Sequence, residues 1–353
     1  MAELHDLSCV VHLHSTHSDG TGTVPEIARA AERAGADVVL LTDHDTLAAR
    51  RRGEEGRHGS VLVLAGHEVS PPNRNHMLAF DTPQEIRHKG LSPAQIAQAV
   101  RDAGGFGVAA HPFSEASEHF GRFRTLGVSM RWEDLDCVDG IEVWSFLSDN
   151  GQAVPSLRAA LRFIVRPERY VTHPPQRNLD EWDRLGARRR VVGIGGLDAH
   201  QFGLRIGGRV IRLMGYERSF RQLRTHLLTD GALTGDLEHD RRLVYGALRA
   251  GRCYIAAHSV APARGFRFWA ARGGGALPMG GEDAASAGPW DLHAALPRPA
   301  AARLLCDGRE VARTDGARLN HRVAAAGVYR VEAHLETHGR KRTWILSNPI
   351  YLR

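Results

Sequence analysis

The chain has 353 residues, of which 42% are hydrophobic and 24% charged, a composition typical of soluble globular proteins. No apolar run approaches the roughly 20 residues of a membrane-spanning helix. The N-terminal MAELHDLSCVVHLH lacks the pattern of a secretory signal, so we expect a cytoplasmic protein with no membrane segment. The cysteines (Cys9, Cys137, Cys253 and Cys306) form no C-x-x-C pair, which argues against a disulfide framework and a thiolate zinc site.

The formal net charge is +6. A positive field can steer anions towards a cleft. Arginine clusters such as 50–52 and 188–190 are nevertheless typical of a solvated surface. Because no RNA-binding or helix-turn-helix motif accompanies them, we do not expect a nucleic acid polymer as a partner.

Up to about residue 260, short apolar runs end in polar clusters and often precede amphipathic helices, which predicts βα units. The polar ends belong to the runs SCVVHLH, ADVVLLTDHD, VLVLAGHE, FGVAAHP, DGIEVW and VVGIGGLDAH. Sites of α/β proteins lie where strands leave the sheet. We therefore expect these polar residues to meet.

Two helices are predicted in this region. The first follows a capping box of Thr23 and Glu26 and ends at Gly35. The second follows Ser92, with Pro93 in the first helical position, and ends at Gly104 and Gly105.

From about Pro262 the helical periodicity fades and strand-like runs separated by turns take over. Asp307-Gly308 and His338-Gly339 are typical of two-residue hairpin turns. We predict a large domain over residues 1–260 and a small β-sandwich domain over 261–353, which could dock against the first, shape a cleft or form an oligomer.

The most informative motif is His12-Leu13-His14, because residues i and i+2 of a strand share a face and can bind one ion. Five residues later comes Asp19, which a simple Asp-Gly turn would also explain. Further His, Asp and Glu side chains follow at strand ends. These are Asp43, His44, Asp45, Glu68, His76, His111, Asp198 and His200. So many at strand ends indicate a metal centre, in which Glu68 could bridge two ions with its two oxygens.

In this order, H-x-H-x-x-x-S-D-G, T-D-H-D, G-x-E, a following His, A-H-P and D-A-H resemble the signature of the PHP (polymerase and histidinol phosphatase) family of metal-dependent hydrolases, over residues 9–203. The resemblance implies an α/β fold, a distorted (β/α)7 barrel, with two or three divalent ions of zinc, manganese or iron. GLDAH, LRTHLLTDGALTGD, LRAGRCYIAAHS and SNPIYL are similar to its carbaryl-hydrolase-like (CehA/McbA) branch.

The family pattern assigns the ligands to three groups. It implies His12, His14, Glu68 and Asp198 around one ion, Glu68, His76 and His111 around a second, and Asp19, His44 and His200 around a third. Some family members have His in place of Asp19, so the third site could be weaker here. Glu142 could support a ligand or serve only the fold. We expect His17, His119, His173 and His258 on the surface or in a substrate cleft.

The resemblance implies a phosphoesterase that hydrolyses a small phosphate ester or nucleotide, through a metal-bound hydroxide. The substrate would be a small, anionic molecule. His44 or His76 could move a proton, and Arg205 could clamp an anion. Carbamate, ester or amide hydrolysis is the alternative chemistry. A non-catalytic PHP module stabilised by metal is the alternative from another class.

Overall fold

The structure is a computed structural model that describes residues 4–72, 75–115, 130, 132, 134–151, 154, 156–201, 203–206, 209–212, 214–285 and 288–353. Of residues 157, 203–206 and 209–212 it describes only the backbone.

The strands of the N-terminal three quarters are β1 (His5–Val11), β2 (Val38–Leu41), β3 (Gly56–His58), β4 (Val61–Ala65), β5 (His67–Val69), β6 (Met77–Phe80), β7 (Phe106–Ala109), β8 (Gly140–Ser145), β9 (Val192–Gly196), β10 (Gly203–Ile206), β11 (Arg209–Arg212), β12 (Arg224–Thr229) and β13 (Cys253–Ala256). The remaining strands are β14 (Arg267–Arg272), β15 (Gly275–Pro278), β16 (Glu282–Asp283), β17 (Trp290–Ala295), β18 (Ala301–Cys306), β19 (Arg309–Thr314), β20 (Arg318–Val323), β21 (Gly327–Thr337), β22 (Arg340–Ser347) and β23 (Ile350–Leu352).

The α-helices are α1 (Val24–Ala34), α2 (Ala48–Arg51), α3 (Pro93–Asp102), α4 (Leu157–Val165), α5 (Gln176–Gly186), α6 (Tyr216–Phe220) and α7 (Leu237–Arg249), and 3₁₀-helices span Ser148–Asn150 and Pro167–Arg169. No helix in the described ranges is both long and apolar enough to cross a membrane.

Both predicted helices are confirmed. At the start of α1, the Thr23 amide donates to the Glu26 carboxylate, and Gly35 ends the helix with a left-handed φ of 73°. At the start of α3, the Ser92 hydroxyl accepts from the Gln95 amide while the Ser92 amide donates to the Gln95 side chain. The local capping residues therefore determine these helix ends.

The fold is mixed α/β and contains a large sheet. Its strand order is β16-β23-β21-β22-β13-β12-β1-β2-β4-β3, and β18 and β19 extend it from β21. The order of a second sheet is β5-β6-β7-β8-β9. The strands β1, β2 and β4 are parallel, as are β7, β8 and β9.

The two sheets meet at the ends of β1 and β2. The Leu197 amide donates to the Val11 carbonyl at 3.0 Å, and the Gly66 amide donates to the Leu41 carbonyl at 2.8 Å. These bonds bring the C-terminal ends of β1, β2 and β9 beside β5. The seven-strand barrel itself stays a prediction.

A separate C-terminal β-sandwich is not confirmed. A four-stranded sheet, β15-β14-β17-β20, shares a buried core with the large sheet, in which Phe268 and Trp344 lie together with Tyr254. The large sheet, however, is continuous between the two predicted domains, because β22 pairs with β13. The boundary between residues 260 and 261 stays a prediction.

Both predicted hairpins are confirmed. Asp307 and Gly308 join β18 to β19, and His338 and Gly339 join β21 to β22. All four residues have φ between 50° and 76°, as a two-residue turn with positive φ at both positions requires.

Candidate metal centre

The predicted ligands lie at the junction of the two sheets. His12 and His14 follow β1, His44 follows β2, and Glu68 lies in β5. The others are His76 before β6, His111 after β7, Asp198 and His200 after β9, and Asp19 in the loop between β1 and α1. The fold thus brings together side chains that are up to 188 positions apart in sequence, as from His12 to His200.

A first group surrounds one point in the buried interior. His12 Nε2 lies 3.3 Å from Glu68 Oε2 and 3.5 Å from Asp198 Oδ1. His14 Nε2 lies 3.4 Å from each of the same two oxygens. These separations suit donors that share one ion, since ion-to-ligand bonds are about 2.0–2.2 Å long.

A second group forms on the other oxygen of Glu68. His76 Nδ1 lies 2.8 Å and His111 Nε2 3.4 Å from Glu68 Oε1. His44 is also close, with Nδ1 3.2 Å from Glu68 Oε2, and it can join Glu68 and His76 around an ion. Glu68 is fully buried and offers one oxygen to each group.

A third group surrounds Asp19 Oδ1. His200 Nε2 lies 3.2 Å from this oxygen, His44 Nε2 3.7 Å and His14 Nδ1 3.9 Å. The Asp19 side chain is 58% exposed, whereas the side chains of Glu68 and His14 are fully buried. The centre therefore opens to solvent on the side of the third group.

The donor set fits divalent metal ions. The ring nitrogens of His14 are buried, and neither has a hydrogen-bond partner among the described residues. An unsatisfied buried imidazole is costly. Nitrogen and carboxylate oxygen suit zinc, manganese and iron. His12, His14, Glu68 and Asp198 would hold one ion, Glu68 with His76, His111 or His44 another, and Asp19 with His44 and His200 a third.

The electrostatics favour ionised carboxylates, as metal binding requires. Burial alone would raise the pKa of Glu68, but His12 and the hydrogen bonds of other histidines outweigh it and hold that pKa well below its usual range. The pKa of Asp198 is likewise held well below its usual range by His12 and His14, against the effect of burial. Burial lowers the pKa of His14 to about 4, so this ring is neutral at pH 7.

Glu142 positions two ligands at once. Its Oε1 lies 3.0 Å from His12 Nδ1, and its Oε2 accepts a hydrogen bond from the His111 backbone amide at 2.7 Å. Such bonds to the far nitrogen of a ligating His orient the ring. Glu142 is fully buried, so it supports the ligands from within the fold.

Other residues support the metal centre in ways that the sequence analysis did not predict. The Ser148 hydroxyl donates to Asp198 Oδ2, and Ser70 Oγ lies 2.6 Å from His44 Nδ1. Asp43 accepts from the Ser15 amide and from the hydroxyls of Ser15 and Ser18, and so holds the loop that carries Asp19. The sequence identified Asp43 as a polar residue at a strand end, but it did not predict these hydrogen bonds.

The sequence argument for His12 and His14 needs a correction. We predicted that both lie in a strand on one face, but β1 ends at Val11 and His12 has a φ of 63°. Asp198 and His111 also have positive φ, 52° and 26°. Such backbone is unfavourable for residues with a Cβ, and it occurs where the surrounding structure holds a functional side chain in place.

The remaining predicted residues have varied placements. The side chain of Arg205 and the whole of His119 lie outside the described residues. His17 contacts Glu54, and His173 is exposed. His258 does not lie in a cleft at the metal centre, since its Nε2 is 2.7 Å from Nε2 of the buried His226, near the start of β1.

No family model matches the chain. The chain is 27% identical over 156 residues to an uncharacterized protein of Methanocaldococcus jannaschii, a match that covers 40% of this chain and 83% of that protein. It is 38% identical over 61 residues to the phosphoribosyl 1,2-cyclic phosphate 1,2-diphosphodiesterase of Eggerthella lenta, which covers 17% of this chain and 23% of that enzyme.

Among solved structures, the chain is similar to a two-domain protein of Bacteroides vulgatus that contains a predicted PHP-like metal-dependent phosphoesterase. The two are 14% identical, the match covers 98% of this chain and 95% of that one, and the TM-score is 0.43.

Proposed function

We propose that the chain is a PHP-type metal-dependent phosphoesterase that hydrolyses a small phosphate ester. The observation that carries this proposal is the position of Glu68. Its two oxygens contact different groups of histidines, and Asp19 gathers a third group beside them. The 61-residue similarity to a phosphodiesterase supports the same chemistry.

Divalent ions held by these residues would activate water and neutralise the oxygens of a phosphate ester. The residues on the open side would meet the substrate first. Asp19 is 58% exposed there, and the side chains of His44, Asp198 and His200 are 27%, 20% and 15% exposed. We propose that the ester lies against this side.

His44 and His76 are our candidates for moving a proton to the leaving oxygen. Both contact Glu68 and remain partly accessible, in contrast to His12 and His14, which are fully buried. Arg205 stays a candidate for clamping an anionic group of the substrate.

The test compares hydrolysis of an aryl phosphate, an aryl phosphodiester and an aryl carbamate by the 353-residue chain loaded in turn with zinc, manganese and iron. We expect turnover of a phosphate ester, and Asp198→Ala should lower it by about a hundredfold or more, because Asp198 contacts both His12 and His14. Asp315→Ala, at an exposed aspartate, is the matched control.

Turnover of the carbamate alone would replace the proposal with carbamate or amide hydrolysis. Bound metal without turnover of any of the three substrates would contradict an enzymatic role in this class and favour a metal-stabilised module.

A further inference from the structure

A pocket of about 700 Å³, which we call the arginine pocket, lies outside the metal centre. Its lining includes Arg162 of α4, Arg166 and Arg169 just after that helix, and Arg340 at the start of β22. Arg340 follows Arg169 by 171 positions, so the tertiary fold brings these four exposed arginines to the rim of one pocket.

Among the residues that the structure describes, no side chain pairs with the charges of the arginine pocket. No carboxylate is among its lining residues, and none of the four arginines forms a salt bridge or a side-chain hydrogen bond with any residue that the structure describes. A helix C terminus favours nearby cations, which accounts for Arg162 and Arg166 but not for Arg340.

Another arginine-rich pocket of the same chain shows the contrast. Between α5 and β18, Arg303 and Arg330 line a pocket, but they pair with Glu332 and Asp183 in the same lining. There the protein supplies its own anions. The arginine pocket has no such pairs among the described residues, so a bound anion would reduce the mutual repulsion of its four exposed arginines.

Apolar side chains lie among the four cations. Leu161 and Val165 line the same pocket, and at 58% and 54% they are the most exposed large hydrophobic residues in the described part of the chain. They are four positions apart on α4 and therefore share a face of the helix. A ligand that fills the pocket would cover apolar surface and neutralise positive charge together.

The arginine pocket adjoins the support of the metal centre. Asn150 is in its lining and ends the 3₁₀-helix Ser148–Asn150, whose first residue, Ser148, donates to Asp198. A 3₁₀-helix rises about 2 Å per residue, so the wall of the pocket begins about 4 Å along this helix from the residue that holds Asp198.

We propose that the arginine pocket binds a phosphorylated ligand with a flat apolar body, that is, a nucleotide. A guanidinium group can donate two parallel hydrogen bonds to the oxygens of one phosphate. Leu161 and Val165 would pack against the base. The nucleotide is either the distal part of the substrate or a separate ligand. Binding at this pocket can be measured without any turnover at the metal centre, so the proposal can fail or hold independently of the proposed reaction.

The test measures binding of the imido analogue of ATP, which resists hydrolysis, to the metal-loaded 353-residue chain by calorimetry. Any binding of the analogue at the metal centre is common to the proteins compared, since none of the substitutions alters a predicted metal ligand. The double variant Arg166→Gln, Arg340→Gln should bind at least about tenfold more weakly, because two of the phosphate contacts are lost. The control is Arg52→Gln, Arg298→Gln, which changes the net charge equally at two exposed arginines.

Loss of binding in the first double variant but not in the control would support the site. Equal weakening in both would show an effect of net charge alone and overturn the proposal, as would a parent protein that does not bind the analogue. Inorganic triphosphate should bind more weakly than the analogue, because it lacks the apolar body, and equal affinity would contradict the role of Leu161 and Val165.

Whether the nucleotide is part of the substrate or a separate ligand can be tested by inhibition of aryl phosphate hydrolysis with the same analogue. Competitive inhibition that weakens tenfold in the Arg166→Gln, Arg340→Gln variant would show a ligand that spans both sites, as the distal part of a substrate would. An effect on kcat without competition would show a separate nucleotide.

Discussion

At the scale of single residues, the centre depends on buried groups whose charges compensate one another. Glu68 and Glu142 are both fully buried, and each uses its two oxygens to contact different histidine residues, five of them in the case of Glu68 and two in the case of Glu142. A buried carboxylate without such partners would be costly. The histidines therefore stabilise the carboxylates in the fold, and the carboxylates orient the histidines for an ion.

Glu142→Gln should lower metal affinity about 10–100-fold without removing a ligand. A glutamine has only one acceptor oxygen, so it cannot accept from both His12 Nδ1 and the His111 amide, as Glu142 can. Competition with a chromophoric chelator measures the affinity. Unchanged affinity in a folded variant would show that Glu142 serves only the fold.

Asp19→Ala should reduce the bound metal by one equivalent. Asp19 belongs to the group with His14, His44 and His200, but not to the group of His12, His14, Glu68 and Asp198. The measurement is elemental analysis after gel filtration, with Asp315→Ala as the control. Loss of all metal, or no loss, would contradict a separate third group.

At the scale of the elements, strand β9 is held by the C-terminal segment as well as by its own sheet. The side chain of Asn348 accepts from the Gly193 amide at 2.8 Å and donates to the carbonyls of Gly193 and Cys253, also at 2.8 Å. Asn348 thus bridges β9 and β13 from the end of β22. Since β9 leads directly to Asp198, this contact also supports the metal centre.

Asn348→Ala should lower the free energy of unfolding by about 3 kcal/mol, because it leaves buried backbone groups of β9 and β13 without a partner. Urea unfolding of the metal-loaded protein measures the loss. Asn320→Ala, at an exposed residue of β20 that contacts His293, is the matched control and should cost far less. An equal effect of both substitutions would argue against the bridge.

At the scale of the whole molecule, a polar cluster joins the N-terminal and C-terminal parts of the chain far from the metal ligands. Asp6 accepts from Tyr254 at 2.8 Å and from the Gly265 amide at 2.8 Å, and its Oδ1 lies 2.6 Å from His226 Nδ1. His258 extends this chain of contacts from His226. Asp6 lies near the start of β1 and precedes His12, which follows the strand, by six positions, or roughly 20 Å of extended chain.

This cluster should make stability fall in mild acid. Burial, together with Arg224, His226 and Arg264 and against the charge of Asp6, lowers the pKa of His258 to about 2. Below pH 6.5 the unfolded chain therefore takes up a proton that the folded chain does not, so stability decreases as pH falls. Two pH units correspond to roughly 2.5 kcal/mol for this group.

The measurement is the difference in urea stability between pH 6.5 and pH 4.5. In His258→Gln this difference should be smaller than in the parent by about 2 kcal/mol. His5→Gln, at an exposed histidine of the same region, should leave the difference unchanged. Any metal loss at low pH should destabilise all three proteins equally, so it cancels in the comparison. The same change in stability between pH 6.5 and pH 4.5 in all three would contradict the role assigned to His258.

The sequence by itself determined the features that depend on neighbouring residues. The capping residues of α1 and α3 and the turns at Asp307-Gly308 and His338-Gly339 were predictable, because each depends on a few adjacent residues. The expectation that polar residues at strand ends meet also identified His, Asp and Glu side chains that lie together in the structure. Residue type and periodicity contain this information.

Only the tertiary structure decided the features that depend on distant contacts. Three such features are the pairing of β22 with β13, the hydrogen bonds of Glu142, and the pocket that Arg162 and Arg340 both line, and each involves segments far apart in the chain. The left-handed backbone at His12 likewise depends on its surroundings and not on its own preference. Such contacts depend on how the whole molecule packs, and local sequence patterns contain no information about contacts between distant segments.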